Sequence, residues 1–258
     1  MNRIQALFQR KPQQILNVFF TAGYPQLADT RSIVRALAQS GVDMIEIGMP
    51  FSDPIADGGT IQHSNEVALK NGISLTKLFE QLAGIRDEVD VPILLMGYLN
   101  PVVQYGIERF IHQAAEIGID GLILPDLPMY EYQAMYRPWF EQHDLSNVFL
   151  VTPQTSEARI RDIDAISRGF IYVVSTDSTT GGSSGFGPHQ VAYFERIQQM
   201  NLQNPTLIGF GIHDQTTYQA ASTYANGAII GSAFIKALQQ PGSIDQRVTA
   251  FVQGIRPE

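Results

Sequence analysis

Short apolar runs recur along the whole chain: ILNVFFTAG (15–23), DMIEIG (43–48), VPILLMGY (91–98), DGLILPD (120–126), NVFLVTP (147–153), GFIYVVS (169–175), PTLIGFG (205–211) and GAIIGS (227–232). Each is β-branched or leucine-rich and is closed by Gly, Pro, Asp or Ser. That is how a strand reads when both faces of a parallel sheet are covered. Longer stretches between them, such as TRSIVRALAQSG (30–41) and IERFIHQAAEIG (107–118), repeat apolar residues at three- and four-residue spacing and stop at Gly. These read as helices with C-terminal glycines. Two of the helix-to-strand joins look alike, SGVDMIEIG (40–48) and IGIDGLILP (117–125). The alternation predicts a (β/α)8 TIM barrel, with an extra N-terminal helix at 2–10 and an extra C-terminal helix at 243–254. A doubly wound open sheet is the alternative, because periodicity does not report closure. No composition shift or long polar linker divides 1–258, so a single barrel domain is expected.

In a barrel the chemistry sits on the loops that follow the strands. If Ile45 and Ile47 face the helices, strand alternation turns Met44, Glu46 and Gly48 inward. Glu46 then lies near the mouth, poorly solvated, with its pKa displaced upward toward values useful for proton transfer. The alternative is a glutamate paired with a buried arginine, but no predicted strand supplies one. Asp53 and Asp57 follow on a loop stiffened by Pro50 and Pro54, and Asp57 is either held over the mouth or a simple turn aspartate. Asp126, in LPDLP, reads as structural capping.

Glycines cluster after the last two strands, in GFGIHD (209–214) and GSAFIK (231–236). Gly209, Gly211 and Gly231 bare the backbone there, and Ser232 and Ala233 open a helix whose N-terminus attracts anions. A phosphate corner and a pair of tight turns both fit these residues; the paired location favours phosphate. The long polar loop STDSTTGGSSGFGPHQ (175–190) is either a lid or a plain surface loop.

Composition narrows the chemistry. A formal charge of -8 with scattered basic residues argues against nucleic acid or an anionic membrane as partner. The absence of cysteine excludes disulfides, thiolate nucleophiles and Cys-based zinc sites. Lys11, Lys70, Lys77 and Lys236 end no strand at the mouth, which leaves a Schiff base without a lysine. His63, His112, His143, His189 and His213 show no ligand spacing, so no metal site is expected. No apolar run approaches the roughly 20 residues of a membrane span, and the N-terminus lacks a signal-peptide core. A cytoplasmic protein is expected. Carboxylates remain as the candidate catalysts.

The residues IEIGMPFSDPIADG (45–58), FFTAGYP (19–25), LMGYLNPVVQYG (95–106), ILPDLP (123–128), IGFGI (208–212) and GSAFIK (231–236) resemble, in the same order, the motifs of the tryptophan synthase α-subunit family. The resemblance spans nearly the whole chain. It implies a (β/α)8 barrel that cleaves indole-3-glycerol phosphate to indole and glyceraldehyde 3-phosphate by a cofactor-independent retro-aldol reaction. By motif position, Glu46 matches the acid–base glutamate, Asp57 the aspartate that binds the indole N–H, and Tyr172 an active-site tyrosine. Gly181, Gly211, Gly231 and Ser232 match phosphate-binding positions, Phe19 and Phe210 ring-packing residues, and Thr180 a lid threonine that reaches the aspartate. The family works as an α2β2 heterotetramer, in which a pyridoxal-phosphate β subunit receives the indole. That cofactor belongs to the partner, and no cofactor is expected in this chain. Residues 50–57, Asn100–Pro101 and the lid would face the β subunit. Ser178 and Thr179 depart from the family's common Gly-Val at those positions, which bears on lid closure more than on chemistry. Other phosphate-binding barrels, such as phosphoribosyl isomerases, would need different groups after strands one and five than TAGYP and TPQT. A third alternative is a scaffold that mainly gates a β subunit, against which Glu46 and Asp57 both argue.

Overall fold

A computed structural model describes residues 2–54, 57–175 and 186–257. Its strands are β1 (Ile15–Thr21), β2 (Met44–Gly48), β3 (Ile93–Met96), β4 (Gly121–Ile123), β5 (Ser146–Val148), β6 (Leu150–Val151), β7 (Ile171–Val174), β8 (Thr206–Gly209) and β9 (Gly227–Ile230). All pairings are parallel, in the order β5-β4-β3-β2-β1-β9-β8-β7-β6. The two ends of that order are successive pieces of one segment, 146–151, joined through Phe149. Its first half pairs with β4 and its second half with β7. The sheet is therefore a ring, and the open-sheet alternative is excluded.

The fifth apolar run thus yields two short strands where one is expected. Staggered strands in a barrel pass their hydrogen bonds from one neighbour to the other partway along. The pleat nevertheless runs through the break: Val148 and Leu150 join the interior cluster while Phe149 and Val151 join the outer one.

Strand alternation sorts the core into two layers. Ile15, Met44, Leu94, Ile123, Tyr172, Leu207 and Ile229 point inward, and Val18, Ile45, Ile47, Leu95, Val173 and Ile230 face the surrounding helices. The predicted terminal helices form at Arg3–Arg10 and Ile244–Ile255. Ile4 and Leu7 of the first enter the interior cluster, so this helix plugs the N-terminal end of the barrel. Only the other end is left for a cleft.

The two look-alike joins perform the same task. In each, a glycine with positive φ (Gly41, +79°; Gly118, +85°) ends a helix, as glycine does at low steric cost. An aspartate then reaches back to the preceding strand: Asp43 accepts from Leu16 N at 2.9 Å, and Asp120 from Ile93 N at 2.8 Å. Lys11 and Arg256 neutralise Asp43, while Arg3 and Arg86 neutralise Asp120. These carboxylates lie at the plugged end and lock strands in register. Among the described residues no helix is long and apolar enough to cross a membrane.

Candidate active site

At the C-terminal ends of the strands a cleft of about 480 Å³, counting solvent at its open side, is lined by residues that include Phe19, Gly48, Met49, Asp57, Ile61, Asn65, Tyr98, Leu150 and Phe210. Most of this wall is apolar or aromatic, and among the described residues Asp57 is its one ionisable carboxylate. Such a shape suits a flat hydrophobic ring with one polar edge.

Glu46 faces inward as alternation requires, but it sits deeper than expected. It is wholly buried and lies below the cleft wall, two residues before Gly48 on the same face of β2. Oε2 accepts from Asn17 Nδ2 at 3.0 Å, and Oε1 has no partner among the described residues. No basic group pairs with it there, so the buried-arginine alternative fails. Burial pushes its carboxyl up to about 8, with the Asn17 hydrogen bond opposing and nearby Asp57 adding to the rise. Glu46 thus holds a proton at neutral pH. That is why an acid can be tolerated so deep without a counter-charge.

This burial has a consequence for stability. Below the ordinary value of 4.5 both folded and unfolded chains bind the proton, and Glu46 costs nothing extra. Between there and about 8 only the folded chain keeps it, so stability falls as pH rises, by on the order of a few kcal/mol in all. Urea unfolding at pH 5 and pH 9 should show Glu46→Gln losing less stability than the parent across that range. Parallel losses would mean that the carboxyl is not perturbed.

Tyr172, on β7, is buried and its ring packs edge-on to Phe210, with centroids 6.2 Å apart. Its hydroxyl lies against Gly209, where an added Cβ would fall 2.2 Å from the oxygen; only glycine admits the tyrosine. Burial, then Glu46 and Asp57, hold its pKa well above the phenol range, so it stays an O–H donor.

Asp57 comes from the loop between β2 and the helix Gly59–Lys70. Gln62 of that helix ties the loop down, donating to Asp57 O at 2.8 Å and to Pro54 O at 3.3 Å. The Asp57 carboxylate accepts from Tyr98 Oη at 3.4 Å. Burial raises its pKa and the tyrosine opposes the rise. Asp53 is exposed, bonded to Ser52, and outside the cleft wall. Asp126 accepts from Leu99 N at 2.8 and 3.1 Å and caps the helix Leu99–Tyr105, the structural role expected of it.

The glycine corner adjoins the cleft through two rings. After β8, Phe210 (φ +71°) and Gly211 (φ +75°) are both left-handed, and Ser175 Oγ donates to Phe210 O at 2.7 Å. A left-handed phenylalanine is strained, and the buried Ser175 helps hold it. Gly231 packs beside the Phe19 ring and precedes the helix Ser232–Ala237, whose leading N–H groups have no intrahelical acceptor. Thr180 and Gly181, with Ser178 and Thr179, lie outside the described residues.

Glu46, Asp57, Tyr172, Phe19 and Phe210 are thus brought together at one end of the barrel, and Gly211, Gly231 and Ser232 lie at its margin. Asn17, Tyr98 and Asn65 are further residues of the site. Asn17 carried a signal, being the one polar residue in ILNVFF and in phase with Phe19. Tyr98 lies within the motif LMGYLNPVVQYG, which does not single it out, and Asn65 carried no signal beyond its place on the helix that follows β2. Among the described residues no group of three or more His, Cys, Asp or Glu side chains is arranged to hold a metal.

Comparison with known proteins gives one answer. The family described as tryptophan synthase alpha chain matches residues 5–255. The tryptophan synthase alpha chain of Christiangramia forsetii is 53% identical over 256 residues, covering 99% of each chain. That of Flavobacterium psychrophilum is 56% identical over 242 residues, covering 94% of this chain and 95% of the relative. The crystal structure of the tryptophan synthase alpha chain from Legionella pneumophila superposes with a TM-score of 0.87 at 32% identity, covering 99% of this chain and 96% of that one.

Proposed function

This chain belongs to the tryptophan synthase alpha chain family, and from that membership we propose how its cleft performs the family's reaction. The reaction is the retro-aldol cleavage of indole-3-glycerol phosphate to indole and glyceraldehyde 3-phosphate. Glu46 begins protonated and gives its proton to indole C3. The ring nitrogen becomes a cationic indolenine N–H, which the Asp57 carboxylate stabilises. Glu46, now ionised, takes the proton of the glycerol hydroxyl next to the bond; the C–C bond breaks, its electrons restore the indole, and the hydroxyl carbon becomes the aldehyde. The carboxyl ends as it started, so one residue serves as acid and then base.

The observation that carries this reading is the pairing of a fully buried carboxyl, free of counter-charge, with a second carboxylate in the apolar cleft above it. Two acids in unlike surroundings take unlike roles. Phe19 and Phe210 sandwich the ring, Tyr172 supplies a hydroxyl beside the reacting carbons, and the backbone at Gly211, Gly231 and Ser232 receives the phosphate; of the residues outside the described ones, Gly181 is assigned to the phosphate and Thr180 to Asp57. The exposed helix N-terminus at Ser232 supports the phosphate assignment.

The partner in this reading is a pyridoxal-phosphate β subunit, in an α2β2 assembly, that takes up the indole. Val103, Tyr130 and Met135, exposed by 50%, 78% and 58%, support a protein contact on segments that follow β3 and β4, with Val103 on the helix that holds Asn100–Pro101. Release of indole from indole-3-glycerol phosphate, measured with and without a β subunit, tests both parts. The isolated chain should turn over slowly and the mixture faster. No indole under either condition refutes the cleavage reading, and equal rates refute the partnership.

A further inference from the structure

The inward face of β1 carries two polar side chains: Thr21, at its end, pairs with Ser64, and Asn17, in its middle, touches Glu46. Both residues are wholly buried. Asn17 Nδ2 donates to Glu46 Oε2 at 3.0 Å, while Glu46 Oε1 and Asn17 Oδ1 have no partner among the described residues. An asparagine at the centre of a barrel strand is disfavoured both by its β propensity and by burying an unmet acceptor. A structural purpose would be better served by valine or leucine. Among the described residues its side chain's one hydrogen bond goes to the proposed acid.

We propose that Asn17 is a positioning residue for Glu46: its amide occupies Oε2, fixes the carboxyl in one orientation, and leaves Oε1 as the oxygen that carries and delivers the mobile proton. The inference rests on the acid–base role proposed for Glu46. It follows from the geometry because a neutral carboxyl has one hydroxyl and one carbonyl oxygen. The carbonyl oxygen is the stronger acceptor of the two, so an amide donor on Oε2 favours the hydroxyl at Oε1. Without Asn17 either oxygen can hold the proton and the side chain can turn, and an acid loses rate steeply when its proton is misplaced.

The titratable groups near Glu46 are Asp57, from the loop after β2, and Tyr172, from β7; β1 and β3 present none to it. Asn17 favours the ionised form of Glu46, in opposition to burial and Asp57. Its removal should therefore raise the pH at which the acid is lost.

Asn17→Leu keeps the branched shape and deletes the donor; Asn17→Val, a better strand former, is the second variant in case the larger leucine crowds the barrel. In whichever variant melts as a folded protein, kcat for indole release should fall about tenfold with KM within about twofold. The alkaline limb of the kcat profile should move up by about one pH unit. The infrared carboxyl band that Glu46→Gln abolishes should titrate with the same upward shift, a readout independent of turnover. A parental rate, an unmoved limb or a downward shift overturns the proposal; a downward shift would mean that Asn17 accepts the proton of Glu46. Glu46→Gln separates the two layers. If that variant cleaves at the parental rate, the acid–base reading itself fails, whereas if it is inactive and Asn17→Leu behaves as the parent, only the positioning role fails.

Discussion

Glu46→Gln should lower kcat for indole release by roughly a thousandfold, the scale of a lost general acid, and leave KM within a few-fold of the parent. The amide has the shape of the protonated carboxyl and offers Asn17 the same acceptor oxygen, so the local packing is kept. Because Glu46 already holds a proton at neutral pH, the substitution removes no charge that the fold depends on. What disappears is the exchangeable proton. Far-UV circular dichroism should match the parent and thermal melting at pH 7 should be no lower, since glutamine lacks the proton-linked penalty, while steady-state indole release collapses. A variant that is folded and retains more than about a tenth of the parental kcat would remove Glu46 from the chemistry. A variant that is inactive and misfolded would instead show that the carboxyl supports the barrel, although no basic group among the described residues pairs with it.

The barrel was legible because its strands are covered on both faces, and such strands have to be written as nearly continuous apolar runs. Glu46 was legible for the same reason, as an acid inside one of those runs with no arginine to meet it. The look-alike joins were visible as a repeat, but the purpose of Asp43 and Asp120 was not, since reaching back to a neighbouring strand's N–H depends on register. The split at Phe149 was likewise hidden, because hydropathy alternates unbroken across a point where only hydrogen-bond partners change. Depth was the other unreadable quantity. Alternation gives the face on which Glu46 lies but not its height in the barrel, and Asn17 helps hold it beneath the wall that Gly48 and Met49 line. Tyr98 and Asn65 reach the cleft through the folding of their own segments. The motif LMGYLNPVVQYG contains Tyr98 without showing which of its side chains turns to the cleft, and nothing local marks Asn65 apart from its helix neighbours.

Asp57→Asn should lower kcat by about a hundredfold, comparable to the loss of one well-placed electrostatic group in a water-poor site. Asparagine keeps an oxygen for the indole N–H and for the Tyr98 hydroxyl, so binding of the neutral ring should change little. The cationic indolenine is different, because a full negative charge in an apolar cleft stabilises it far more than an amide dipole can. The effect should therefore fall on kcat rather than on KM. The pH profile sharpens the test. In the proposed mechanism Asp57 is ionised, and because burial raises its pKa, activity should fall at the acid end as it takes up a proton. The same mechanism starts from protonated Glu46, so activity should fall at the alkaline end near 8. The parent should give a bell. Asp57→Asn should lose the acid limb and keep the alkaline one, displaced somewhat downward because the Asp57 charge no longer favours the protonated form of Glu46. Kinetics from pH 4.5 to 9.5 decide the matter. An acid limb that persists in the variant belongs to some other group, and a kcat within threefold of the parent would mean that the developing cation is stabilised elsewhere.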